Sequence, residues 1–284
     1  MRDALAAVLE TRVLGRAHEH HAAIDSTNDR ALAWAKDGAP HGALVTADRQ
    51  EAGRGRRGRS WASPAAGDLY LSVVIRPAIA AAARRVDPTR WGAYGLAVGV
   101  ALREGLLAAA PWLGDLELKW PNDLLWRGRK LAGILCEARW SGDGLEAIVV
   151  GVGINVGRRR FDEPELAARA TSLALIRGGE GDSETAPELD RGVILGSILS
   201  ALEEATDIFS WGGFPALRER YEPHCRILGR EVEIAATPGA PTSRAIAVGL
   251  DDDGALLVAT AAGGRRRVEA ADVWLATQSP GDPR

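Results

Sequence analysis

Glu51-Ala52-Gly53-Arg54-Gly55-Arg56-Arg57-Gly58-Arg59-Ser60-Trp61 packs four arginines and three glycines into eleven residues, then an aromatic. Glycine lets backbone amides come close to a ligand, and guanidinium forks match phosphate and carboxylate oxygens. The chemistry implied is capture of an anion, a nucleotide phosphate above all, and neutralisation of charge developing in a transition state. The bland reading is a solvated loop or a disordered RNA-binding segment; apolar runs closely flanking the loop argue against disorder. Lys119-Trp120-Pro121-Asn122-Asp123 is a second rare string. It follows an alternating run, so the Lys119 ammonium falls at a strand end beside a rigid proline corner, where ligand groups collect. An ordinary solvated strand-end lysine is the alternative. Only Lys36, Lys119 and Lys130 are lysines among 35 basic residues. Where nearly every cation is arginine, a surviving lysine marks a need for a compact ammonium, or it marks chance.

Weaker signals accompany these two. Ser26-Thr27-Asn28 reads first as a helix N-cap, which also leaves free amides for a carboxylate. Gln50 is a surface polar residue or an amide that pairs with a ligand amide. Gly151, Gly153 and Asn155 are a bulge and turn, or a reader of a purine edge. The five histidines (18, 20, 21, 41 and 224) show no metal-ligand spacing, no metal site is expected, and His18, His20 and His21 are read as solvated.

The elements around these residues follow from pattern. Residues 1–22 read as a short amphipathic helix plus linker, and a helix over Ala31 to Ala35 ends at Gly38-Ala39-Pro40. Strands are expected at 43–47, 69–75, 116–120, 130–138 and 147–156, with a short one after the Pro121 turn. Residues 89–110 read as one buried helix, and 191–209 and 214–222 as further helices. Ser141-Gly142-Asp143-Gly144 reads as a hairpin turn. From Arg226 short strands suggest a small β-barrel of roughly 50 residues, a size at which a lone core is marginal and docking is expected. The organisation expected is 1–225, 226–277 and a loose tail, 278–284.

The bulk numbers narrow the class. The net charge is −3, so the basic character is local, and a general nucleic-acid binder is disfavoured. Cys136 and Cys225 are too few for a disulfide framework and read as buried thiols. No apolar run is long enough to span a bilayer, and the N-terminus lacks a signal-peptide layout. The expectation is a cytoplasmic protein with no membrane and no nucleic-acid partner.

Taken together, the strings resemble biotin–protein ligases. The matching positions are 26–28, 50, 53–61, Leu69-Tyr70-Leu71-Ser72, Lys119 to Asp123, Lys130 to Glu137, and Gly151 to Asn155. The resemblance implies an α+β catalytic domain, a mixed, largely antiparallel sheet with packed helices, followed by an SH3-like barrel. It implies ATP-dependent activation of biotin as biotinyl-5′-adenylate with release of pyrophosphate. Transfer to a lysine of a biotin carboxyl carrier domain follows, with Mg²⁺ accompanying ATP. The catalytic residues it implies are Lys119, Arg54 and Arg56. Ser26, Thr27, Asn28, Gln50, Gly53, Arg54, Gly55, Arg56, Tyr70, Lys119, Gly133 and Gly153 would contact biotin. Arg56, Arg59, Trp61, Lys119, Asn122 and Asn155 would contact the nucleotide. Because the Ser-Thr-Asn turn starts at residue 26, the N-terminal DNA-binding domain of the repressor members is expected to be missing. Lipoate–protein ligases and octanoyltransferases, which share the fold, are the alternative.

Overall fold

A computed structural model describes residues 1–63, 67–80, 87–142, 144–178, 189–237, 240–260, 263–269 and 271–276. The expected tail at 278–284 lies outside the described residues, as does Asp143 of the expected hairpin turn. Seven strands form one sheet: β1 (His18–His21), β2 (Leu44–Ala47), β3 (Leu69–Ile75), β4 (Leu116–Lys119), β5 (Asp123–Trp126), β6 (Arg129–Ser141) and β7 (Gly144–Ile154). Their spatial order is β1-β2-β3-β7-β6-β5-β4. Only β1 and β2 run parallel; the other neighbours in this sheet are antiparallel.

Strand alternation divides the burial between two faces. Val73, Val150 and Leu44 point into the main core, with the helices Tyr94–Ala109 and Arg191–Gly212 packed against it. These helices approach closely, since a Cβ at Gly105 would lie 2.6 Å from the Ile198 Cα. Val45, Val74 and Val149 face the other way, against Ala31 and Ala35 of the helix Thr27–Lys36. That ten-residue helix covers only part of its face. The uncovered part becomes the site.

The second sheet contains β8 (Glu231–Ala235), β9 (Ser243–Leu250), β10 (Leu256–Ala259), β11 (Arg265–Val268) and β12 (Asp272–Leu275). It is antiparallel, ordered β11-β10-β9-β8-β12. Val232, Leu250, Leu256 and Val273 belong to the same buried cluster as the main sheet, so this SH3-like unit shares its core with the larger one. The Trp120 indole N–H donates to the Gly254 carbonyl at 2.9 Å, and the Arg226 backbone N–H donates to the Leu118 carbonyl at 2.8 Å. Both contacts anchor the end of β4 to the second unit.

Two readings need correction. Residues 18–21 are an ordered strand rather than linker, and His18, His20 and His21 are half-buried on it. His18 Nε2 and His20 Nδ1 both meet the Thr46 hydroxyl, at 2.8 and 3.0 Å. The expected helix 89–110 is two helices, Pro88–Trp91 and Tyr94–Ala109, broken at Gly92-Ala93. The break seats Trp91 and Tyr94 edge-on to Phe209. Among the described residues, no helix is long and apolar enough to cross a membrane.

Candidate active site

One register row crosses the main sheet: Lys119 pairs with Asp123, Asp123 with Gly133, Gly133 with Gly153, and Gly153 with Tyr70. The adjoining row is Leu135, Gly151 and Ser72. Paired residues point to the same face. Three glycines therefore leave the centre of that face without side chains of its own; Asn28 and Trp61 pack onto them, and the cleft runs along this face. Its lining runs from Ser26 and Gln50 at one end to Lys119 and Asp272 at the other.

The N-terminus of the helix Thr27–Lys36 closes one end. Ser26 caps it, accepting from the Asp29 N–H at 3.4 Å. Gln50 Oε1 accepts from the Thr27 N–H at 2.9 Å and from its hydroxyl at 3.1 Å. The Ser72 hydroxyl lies 2.9 Å from Thr27 Oγ1 and 2.6 Å from Asn28 Oδ1, and the Asn28 amide donates to Glu137 at 2.8 Å. Apart from Glu137, this end is a lattice of neutral donors and acceptors held in fixed orientations. It suits a polar, uncharged group.

The Arg/Gly loop forms the lid. Arg57 and Gly58 adopt φ of 58° and 71°, turning the chain so that the Gly55 N–H donates to the Arg59 carbonyl at 2.7 Å. Trp61 returns beside Gly53, its N–H donating to the Gly53 carbonyl at 2.8 Å. Its ring fills the space over the glycine floor: a Cβ at Gly153 would meet it at 2.5 Å and one at Gly133 at 2.8 Å. The Trp61 indole N–H is buried without a hydrogen-bond partner among the described residues. Arg54 pairs with Asp29 and Glu137. Arg56 donates to Asn122 at 3.2 Å. Arg59 reaches Asp272 of β12 at 2.7 Å, so the second sheet contributes to the cleft. Burial, then the neighbouring Arg57, lowers the Arg56 guanidinium from its ordinary value.

The charged end holds Lys119, Asp123 and Lys130. Lys119 Nζ is 3.8 Å from Asp123 Oδ2, and Lys130 Nζ is 2.6 Å from Oδ1. Burial pulls the Lys119 ammonium below its ordinary value, against the attraction of Asp123. Burial alone would raise the Asp123 carboxyl, but Lys130 and then Lys119 outweigh it and hold it below the usual range. An anion entering here meets cations without having to recruit them, because the charge is already assembled.

The structure brings Ser26, Thr27, Asn28, Gln50, Arg54, Gly55, Arg56, Arg59, Trp61, Lys119, Asn122, Gly133 and Gly153 to this cleft. Three expected residues do not line it. Tyr70 is 1% exposed with its hydroxyl donated to Asp68 at 3.1 Å. The Asn155 amide instead donates to the Thr171 carbonyl at 2.9 Å, fixing the chain after β7. Gly53 packs under Trp61, where a Cβ would lie 2.5 Å from the Trp61 carbonyl oxygen. Asp123, Lys130 and Asp272 also line the cleft without having been expected there, as does Gly151, which the sequence offers only as a bulge or a purine-edge reader. Asp123 and Gly151 sat inside the quoted strings, and Lys130 was flagged by rarity. Asp272 carries no local signal. Cys225 is buried and Cys136 half-buried; burial pushes the Cys136 thiol up to about 12, so it is not a ready nucleophile.

Residues 21–155 match the Biotin/lipoate A/B protein ligase family, and residues 227–275 the Biotin protein ligase C terminal domain. A Biotin--[acetyl-CoA-carboxylase] ligase of Paracoccus denitrificans is 36% identical over 256 residues, covering 88% of this chain and 97% of that one. The Bifunctional ligase/repressor BirA of Bacillus spizizenii is 32% identical over 94% of this chain and 76% of its own length. The solved structure of a biotin protein ligase from Aquifex aeolicus in complex with biotin and ATP superposes with a TM-score of 0.74. It is 27% identical, covering 92% of this chain and 100% of that one.

Proposed function

Since the chain belongs to the biotin protein ligases, we propose that it joins biotin to a carrier protein by way of biotinyl-5′-adenylate, using ATP. The carrying observation is that one cleft joins a neutral hydrogen-bonding end, around Thr27 and Gln50, to a cationic end at Lys119. Biotin has the same two ends, an uncharged ureido ring and a carboxylate.

In the first step a biotin carboxylate oxygen attacks the α-phosphorus of ATP. The bond from phosphorus to the bridging oxygen breaks, and pyrophosphate leaves with that electron pair. Two anions must meet, so their repulsion is the barrier that the chain addresses. Lys119 binds the carboxylate and then the charge gathering on the α-phosphate. Arg56 and Arg59 neutralise the nucleotide, while Arg54 and Gly55 fold the loop over biotin. Ser26, Thr27, Asn28 and Gln50 meet the ureido ring, and Gly133 and Gly153 form the floor. Trp61 and Asn122 flank the nucleotide. The lid excludes water from the mixed anhydride.

In the second step the unprotonated amine of a carrier lysine attacks the acyl carbonyl, loses a proton, and AMP departs. The acceptor is a biotin carboxyl carrier domain of a carboxylase, and with ATP as co-substrate we place the reaction in the cytoplasm. Mg²⁺ arrives as part of the substrate MgATP. Among the described residues no group of three His, Cys, Asp or Glu side chains could hold a metal ion, and Asp123 and Asp272 are already paired with cations. The Mg²⁺ would supply charge neutralisation on the triphosphate.

Pyrophosphate release with biotin and ATP, with lipoate and octanoate in parallel, tests this reading. Release with biotin alone is expected. Release with lipoate and not biotin, or with none of the three by folded protein, overturns it.

A further inference from the structure

Glu137 closes the string that begins at Lys130, yet it has no part in the proposed reaction and does not line the cleft. It stands on β6 two residues beyond Leu135, so alternation turns it to the same face as Gly133. Its partner across the sheet, Val149, faces the helix Thr27–Lys36. The half-buried carboxylate spends its two oxygens on two different elements. Oε2 accepts from the Asn28 amide at 2.8 Å, in the first turn of that helix. Oε1 accepts from Arg54 of the lid. The other terminal nitrogen of Arg54 donates to Asp29, the residue after Asn28. Asn28, Glu137, Arg54 and Asp29 therefore close a ring that joins helix, sheet and lid.

The other lid arginines are attached elsewhere. Arg56 goes to Asn122, and Arg57 and Arg59 go to Asp272, all toward the charged end. Arg54 is the lid arginine that reaches the neutral end. It is exposed, and an exposed ion pair by itself holds little. A guanidinium shared by two carboxylates is different, because its planar fork loses little freedom for each further bond. One of the two, Glu137, is also already fixed by Asn28. The ring requires an ionised carboxylate at 137. Such a group only accepts hydrogen bonds, so it can serve an amide and a guanidinium together. Glutamine could accept from one of them but would turn its own N–H groups toward the other.

We propose that Glu137 is a positioning residue that fixes Arg54 of the lid and the Asn28 amide in one relation, so that lid and helix hold biotin as a single body. This rests on the ligase reading above, in which Asn28 and Arg54 meet the ligand. Glu137 acts only through those two side chains, and no proton or covalent bond changes at it.

The test compares wild type with Glu137→Gln. Tryptic cleavage after the lid arginines reports the attachment of the lid without any ligand. It should run about tenfold faster in the variant, the order of one hydrogen bond to a charged group. Adenylate formed from biotin and ATP should leave the variant about tenfold faster, and KM for biotin should rise by a similar factor. KM for ATP should stay within about threefold, a split that general loosening of the cleft would not produce. Unchanged lid cleavage overturns the proposal, as does an equal rise in both KM values. Asp29→Asn covers the case in which Glu137→Gln fails to fold. It alters an exposed position, leaves the bond from Asn28 to Glu137 intact and weakens the hold on the same guanidinium. It should also speed lid cleavage, and a wild-type rate refutes the ring. A wild type that releases no pyrophosphate with biotin would condemn the ligase reading, while lid cleavage would still decide the ring.

Discussion

Gly151→Ala probes how tightly the neutral end of the cleft is built. A Cβ at Gly151 would lie 2.1 Å from Asn28 Oδ1 and 2.8 Å from Asn28 Cγ. Restoring an ordinary contact of 3.4 Å requires a retreat of 3.4 − 2.1, or 1.3 Å. Asn28 has nowhere to retreat: it is 4% exposed and held by Ser72 at 2.6 Å and Glu137 at 2.8 Å. Overpacking costs about 1–3 kcal/mol, and two weakened hydrogen bonds about 0.5–1.5 kcal/mol each. Alanine recovers about 0.5–1 kcal/mol of strand propensity, so the expected net destabilisation is about 1–5 kcal/mol, read as a lower urea midpoint. The mechanism also fixes the double mutant. Asn28→Ala removes the atom that clashes while leaving Ser72 and Glu137 short of a partner, at about 1–3 kcal/mol. Adding Gly151→Ala should then destabilise no further and instead recover about 0.5–1 kcal/mol of strand propensity, a strong departure from additivity. A single variant within about 0.5 kcal/mol of wild type, or an additive pair, would refute the reasoning.

Other consequences follow from the charged end, the first strand and the contact between units. Lys119→Arg keeps the charge but replaces a compact ammonium with a planar fork, so pyrophosphate release should fall by about 10²-fold or more; near-normal release would remove Lys119 from its role. Burial, then the charge of His20, lowers His18 from 6.5 to about 4. A depressed folded value means that the unfolded chain binds more protons, so stability is full above about pH 6.5 and declines as pH falls toward 4. With partial solvent access the shift corresponds to about 1–2 kcal/mol; His18→Gln should flatten urea midpoints between pH 7 and 4, and an unaltered slope would contradict the assignment. Trp120→Phe strands the Gly254 carbonyl that accepts at 2.9 Å and should cost about 1–3 kcal/mol, whereas an unchanged urea midpoint would show that the link between the units is dispensable.

The residue types that do chemistry were legible in the chain because each lies in a short string with its own physical signature. Clustered arginine and glycine imply an anion cradle, and Lys119 ahead of a proline corner implies a positioned cation. Strand alternation and glycine punctuation likewise indicated β3 and β6 and the small second sheet. The arrangement that turns these strings into a site depends on pairing between distant strands. Nothing near Gly133 or Gly153 in sequence says that they face each other under Trp61. Asp272 reaches Arg59 from 213 residues away. Tyr70 and Asn155 illustrate the reverse: both sit in strings that carry the site, and in the structure both hold neighbouring chain in place. Lys130 is the sharpest case, since period-two alternation would bury it and a one-residue register slip brings it into the cleft. Composition and spacing determine which groups are available. Which face of the sheet each side chain occupies is decided by register, and register is settled only when the two faces compete for burial in the folded protein.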